Sequence, residues 1–162
     1  MSLTITDHTV IHHTFVTERS YQASPEKVYA ALSDPGKKRL WYAAGEHHDV
    51  EEFSMDFRVG GVERSVYRFR EGTPFPGVLL SNEGSFLDIQ EGSRVVVASA
   101  MSMGGKRFSA SLCTFELIPK DGGTDLILTH QGAFFEGSDG PEMRQQGWNT
   151  LLNRLGAVLG QE

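Results

Sequence analysis

Apolar and polar residues alternate with a period of two over much of this chain and change to a helical period near its C-terminus. From Thr9 to Tyr21 the residues are rich in Thr, Val, Ile and aromatics, which suit the pleated, half-buried surface of a strand. In "ASPEKVYAALSDP" Ser24 reads as an N-cap, Pro25 occupies the first helical position, and Val28, Ala31 and Leu32 share a face until Asp34 and Pro35 end the helix. A second short helix through "GKKRLWY" leads into the polar loop "AAGEHHD".

"VEEFSMDFRV" places Phe53, Met55, Phe57 and Val59 in one row and Glu52, Ser54, Asp56 and Arg58 in the other, which predicts a second strand. Gly60 and Gly61 break it, and "VERSVYRF" resumes as a third, so the segment reads as a bent hairpin. After the loop "EGTPFPG", the stretches "SNEGSFLDI", "SRVVVASAM" and "KRFSASLCTFEL" read as three more strands. A Gly-Gly turn in "PKDGGTDLILTHQG" opens a seventh, in which Leu126, Leu128 and His130 share a face. From Pro141 to Leu159 the spacing of Trp148, Leu151, Leu152, Leu155 and Val158 or Leu159 predicts a long helix with one buried stripe, and the sheet is the surface to receive it.

A length of 162 residues suits a single domain with a substantial core, and no stretch reads as a linker or repeat. Charge changes the picture by exclusion. Fifteen basic against 21 acidic side chains give a net charge of −6, which disfavours nucleic acid, and the one basic run, Lys37 to Arg39, reads as a solvated helix face. No run of about 18 apolar residues offers a membrane span, and the N-terminus, Met1 to His13, lacks the basic start and apolar block of a secretory signal. The lone Cys113 forms no internal disulfide, so a reducing cytoplasm is the expected location.

The order of elements, with "DFRVGG", "FLDI", "TFELIPKDGGTDLILTHQGAF" and "GWNTLLNRLG", resembles the activator-of-Hsp90-ATPase-homologue-like branch of the START/Bet v 1-like (SRPBCC) superfamily. The resemblance covers nearly the whole chain from about Thr9. It implies an α+β helix-grip fold: a curved seven-stranded antiparallel sheet around a long C-terminal helix, two short helices between strands one and two, and a cavity between sheet and helix. Such folds bind lipids or aromatic metabolites, cyclise polyketides or stimulate a chaperone, and the fold alone does not select among these.

For this chain a small, mainly apolar ligand in the cavity is the leading expectation. An acid/base enzyme of the cyclase kind is the alternative, and a chaperone-interaction or stress-response module the third. No cofactor is expected, and a homodimer is left open. The expected cavity set is Trp41, Phe57, Tyr67, Phe69, Val97, Met101, Phe115, Leu128, His130, Trp148, Leu151 and Leu155.

Two titratable residues are candidates for chemistry. His130 continues the row of Leu126 and Leu128, and a neutral imidazole there would offer one donor and one acceptor, to a ligand or to a backbone partner. Glu63 shares a row with Ser65, Tyr67 and Phe69. Turned inward it would be a desolvated base, but a register slip of one residue would expose it. The adjacent pairs His12–His13 and His47–His48 lack the spacing of metal ligands, and no metal site is expected. Cys113, in a row with Phe115 and Leu117, is expected to be an unreactive buried thiol, and no serine has the setting of a hydrolase nucleophile.

Overall fold

A computed structural model describes residues 9–160; the N-terminal reading over residues 1–8 lies outside the described residues. The strands are β1 (Ile11–Tyr21), β2 (His48–Met55), β3 (Val62–Phe69), β4 (Leu79–Gln90), β5 (Arg94–Met103), β6 (Lys106–Lys120) and β7 (Gly123–Phe134). They form one antiparallel sheet in the order β1-β7-β6-β5-β4-β3-β2, so the first strand closes beside the last and β1 and β2 are the edges. Helices α1 (Pro25–Ser33) and α2 (Pro35–Lys38), with a turn of π-helix over Arg39–Ala43, carry the chain from one edge to the other. Helix α3 (Pro141–Leu159) returns across the sheet.

Local chemistry accounts for these boundaries. Ser24 accepts a hydrogen bond from the Lys27 amide, Asp34 caps α2 in the same way through the Lys37 amide, and a proline stands in the first turn of each. On α3 the residues Arg144, Trp148, Leu152, Leu155 and Leu159 are buried, every third or fourth position. Together with Phe15, Val28, Leu32, Trp41, Phe86, Phe115, Leu126 and Leu128 the apolar members form one core between the helices and the sheet. The Tyr21 hydroxyl adds a donor to the Leu152 carbonyl at 2.8 Å, which fastens β1 to the middle of α3.

The glycine pair shapes the β2–β3 hairpin differently from a simple kink. β2 ends at Met55, and residues 56–61 form the turn. Gly60 adopts φ of +85°, and a Cβ on Gly61 would lie 2.0 Å from the Asp56 carbonyl oxygen, so the two positions need glycine for separate reasons. The expected inward row therefore stops early. Phe57 leaves the strand to pack on Phe86 and Tyr29, while Val59 is 59% exposed. Amides and carbonyls of the turn continue onto β4, through Gly60 N–H to Phe86 O and Phe86 N–H to Gly61 O.

Candidate functional site

A cavity of about 350 Å³ opens between the concave face of the sheet and the N-terminal half of α3. Its floor follows from strand register. Glu63 on β3 pairs with Gly84 on β4, Gly84 with Ser99 on β5, Ser99 with Ser111 on β6, and Ser111 with Gly132 on β7. This row crosses five strands with no residue larger than serine between its glutamate and the far edge, and that is what leaves room above the sheet. Ser99 and Ser111 line the cavity with their hydroxyls 3.4 Å apart.

Apolar side chains supply most of the wall: Tyr67, Leu80, Val97, Met101 and Phe115 from the sheet, and Met143, Trp148 and Leu151 from α3. Of the residues expected from sequence, Tyr67, Val97, Met101, Phe115, His130, Trp148 and Leu151 line this space. Trp41, Leu128 and Leu155 have no exposed surface and belong to the core behind it. Phe57 and Phe69 also lie off the cavity, Phe57 because the turn carries it toward α1 and Phe69 because it ends β3 opposite His48.

The polar groups fall into two stations. At one end Lys38 Nζ lies 2.5 Å from Glu63 Oε2, and the two residues are 3% and 5% exposed. Glu63, Ser65 and Tyr67 form the buried row of β3, so Glu63 is inward. Lys38, expected on a solvated face with its neighbours, is turned inward by the short α2 and rests over the Tyr42 ring, 4.6 Å from its centroid. Asn82 donates from Nδ2 to the Tyr42 hydroxyl at 2.8 Å, while its own Oδ1 is buried without a partner. Burial, with Glu63 and Tyr67 beside it, pushes the Tyr42 phenol well up, so Tyr42 remains protonated.

At the other end stands His130, 1% exposed, with neither ring nitrogen hydrogen-bonded. Its ring is stacked on Phe15 at 4.7 Å, nearly parallel, and Gly132 passes beside it so closely that a Cβ would lie 2.9 Å from the imidazole Cε1. Burial, reinforced by the Arg144 charge, brings its pKa down to about 4 and keeps the ring neutral at pH 7. Arg144 is held by both Asp139 oxygens at 2.8 Å and donates to Ser109 at 2.9 Å. Burial pushes the Asp139 carboxyl up, but the hydrogen bond and charge of Arg144 outweigh it and hold the pKa below the usual value. Cys113 lies between the stations, and burial raises its thiol to about 12, which leaves no thiolate for nucleophilic work.

Glu63 and His130 thus face one cavity from strands four steps apart, on the order of 15–20 Å along the sheet at strand spacing. They do not meet as an acid and base pair.

The rim is formed by residues 44–48, where Arg154 donates to the Trp41 and Ala44 carbonyls and His48 Nε2 donates to the Ala43 carbonyl at 2.8 Å. His48 also touches the Tyr67 ring, at 4.5 Å between centroids, whereas His12, His13 and His47 are exposed. Among the described residues no group of three or more His, Cys, Asp or Glu side chains could hold a metal ion.

Lys38, Tyr42, Asn82, Ser99, Ser111, Asp139 and Arg144 were absent from the sequence-derived site. A signal existed for Arg144, which occupies the apolar stripe of α3 one turn before Trp148. For Asn82 it was hidden by a bulge between Phe86 and Asp88 that switches the inward row of β4.

A curved antiparallel sheet gripping a long C-terminal helix, with a half-open cavity between them, defines a helix-grip protein. The chain belongs to the family of Activator of Hsp90 ATPase homolog 1-like proteins, whose model matches residues 22–160. It is similar to the protein Mll3558 from Rhizobium loti, at 43% identity and a TM-score of 0.81 over 93% of this chain and 99% of that one. An uncharacterised protein from Rhizobium leguminosarum is 32% identical, with a TM-score of 0.87 over 94% of this chain and 97% of the other. A protein of unknown function from Staphylococcus aureus, 16% identical at a TM-score of 0.72 over 94% and 96% of the two chains, shares the fold. No curated protein matches the chain. No helix among the described residues is long and apolar enough to cross a membrane.

Proposed function

We propose that this protein binds a small, mainly apolar molecule in the cavity between sheet and α3, acting as a cytoplasmic binding protein. The observation that carries the reading is the composition of the cavity: aromatic and aliphatic walls, a floor of small residues, and a few placed polar groups, the usual makeup of a small-molecule site. Titration with the neutral fluorescent dye N-phenyl-1-naphthylamine tests it. Saturable one-to-one binding to the folded protein, weakened by Ser99→Leu without loss of folding stability, is the expected result. Absence of binding by this dye and by a panel of aromatic and lipid probes would sink the reading. Native mass spectrometry of protein taken directly from cells then identifies what is retained.

Acid/base catalysis is a second reading, favoured by one feature. Glu63 sits in the cavity wall with a cation held against it, so that an acidic proton of a bound molecule and a carboxylate acceptor would share a space sheltered from water. Under this reading Glu63 is the base and His130, too remote to act with it, orients the far end of the substrate. Solvent hydrogen–deuterium exchange into a bound carbonyl compound, abolished in Glu63→Gln, separates catalysis from binding alone.

A further inference from the structure

The charged groups of the cavity wall, apart from Glu46 exposed at the rim, are already engaged. Lys38 is held by Glu63, Arg144 by both oxygens of Asp139, and Arg154 by the backbone carbonyls of Trp41 and Ala44. A carboxylate or ammonium buried inside the cavity would have to displace one of these partners. Among the buried side-chain atoms without a partner, those in the cavity lining belong to two uncharged residues, His130 at one end and Asn82 at the other. His130 is buried and Asn82 half-buried with its Oδ1 shielded from solvent, both line the cavity, and a buried polar atom without a partner carries its full desolvation penalty.

The two vacancies ask for particular groups. The Asn82 amide donates one N–H to Tyr42 and leaves Oδ1 without a partner; Oδ1 only accepts, so a group seated there must donate. A neutral imidazole has one N–H and one bare nitrogen. A hydroxyl can accept from the first or donate to the second, and so suits either tautomer. Three strand steps separate β4 from β7, on the order of 14 Å along the sheet, and side chains on a concave face lean together and shorten that span. Between the two ends lie Val97, Met101 and Phe115 on the sheet and Trp148 and Leu151 on the helix, which offer an apolar and partly aromatic slot.

We infer that the occupant is an uncharged, elongated apolar molecule with a hydroxyl at each end, one seated at His130 and the other at Asn82. The inference rests on the cavity being a binding site and specifies the chemistry it selects. His130 then trades stability of the empty protein for recognition of the filled one.

Calorimetric titration of biphenyl, 4-hydroxybiphenyl and 4,4′-dihydroxybiphenyl tests this, with the wild-type protein, His130→Phe and Asn82→Leu. Each hydroxyl should raise affinity about fivefold to tenfold, in line with a net hydrogen bond in a buried site. His130→Phe should remove one of the two gains and raise the melting temperature at pH 7, because the ring keeps its stacking on Phe15 while two unpaired nitrogens vanish. Asn82→Leu should remove the other gain. Equal affinity for all three biphenyls would overturn the inference while leaving the cavity reading in place, and so would a His130→Phe protein that melts lower yet keeps both gains. If none of the three biphenyls bound, the inference would fall, and the cavity reading would fall with it only if the naphthylamine dye and the wider probe panel failed as well.

Discussion

Lys38 on α2 and Glu63 on β3 meet 2.5 Å apart in the cavity wall, both nearly closed off from solvent. Removing one partner of such a pair strands a charge in a place water reaches poorly, which typically costs about 3–5 kcal/mol, whereas replacing both by apolar groups is often neutral. We expect Lys38→Met to be strongly destabilised and the Lys38→Met, Glu63→Leu double variant to recover most of the loss. Urea unfolding of the single and double variants checks this; additive losses would show that the two side chains are stabilised independently.

The pH dependence of stability should carry the mark of His130. Its folded pKa, about 4, lies below the ordinary value of 6.5, because burial and Arg144 oppose the charged ring. Between those values the unfolded chain holds more protons on this residue than the folded one. Its contribution is therefore fully present above pH 6.5 and is lost as pH falls toward 4, on the order of 3 kcal/mol in all. Denaturant midpoints measured from pH 7 to pH 4 should fall more steeply for wild type than for His130→Phe. Parallel slopes would assign the acid sensitivity elsewhere.

Trp148 joins the cavity to the core, since its ring meets Phe115 at 5.7 Å and Tyr42 at 6.0 Å. Truncating a buried aromatic of this kind costs about 3–5 kcal/mol. Trp148→Ala should lose that much by denaturant titration; a loss below about 1 kcal/mol would mean that α3 is held by other contacts.

Gly61→Ala should be disruptive out of proportion to one methyl group, because its Cβ would meet backbone oxygen rather than a side chain that could move. A loss of about 2 kcal/mol or more is expected from the forced backbone shift, against roughly 1 kcal/mol for Gly60→Ala, where the surroundings are open and only the positive φ is unfavourable. Equal losses in thermal unfolding would contradict the geometry of the turn.

Tyr67→Phe keeps the ring and removes one hydroxyl from the wall. The inferred occupant places its hydroxyls at His130 and Asn82, so affinity for 4,4′-dihydroxybiphenyl should stay within about twofold of wild type. A loss of about 1 kcal/mol, the size of one hydrogen bond, would add Tyr67 to the polar contacts of the cavity.

The fold was legible in the sequence because each element kept its own period. The stripe from Trp148 to Leu159 gave the last helix its extent, and the strands of the hairpins alternated cleanly between glycine turns. The site was legible in its apolar half and at His130, which continues the inward row of Leu126 and Leu128. Tyr67, Val97 and Phe115 follow from alternation, but Lys38 lies inward through the geometry of a four-residue helix that has too few residues to show a face. Asn82 is aligned by its neighbours across the sheet rather than by its own strand, whose bulge switches the row. Glu63 was undecided between water and interior for a related reason, since its side depends on how many residues the Gly60–Gly61 turn absorbs.

The small residues along the floor make cavity size a separately adjustable trait. Ser99 and Ser111 stand over the middle of the sheet, away from the interlocked side chains that fix α3, so a larger residue at either position would shorten the chamber while the scaffold stayed as it is. Two proteins with this same backbone could then accept guests of different length through one or two substitutions. A survey of engineered variants at these two serines would read as a ruler, each added carbon excluding the next longer member of a probe series.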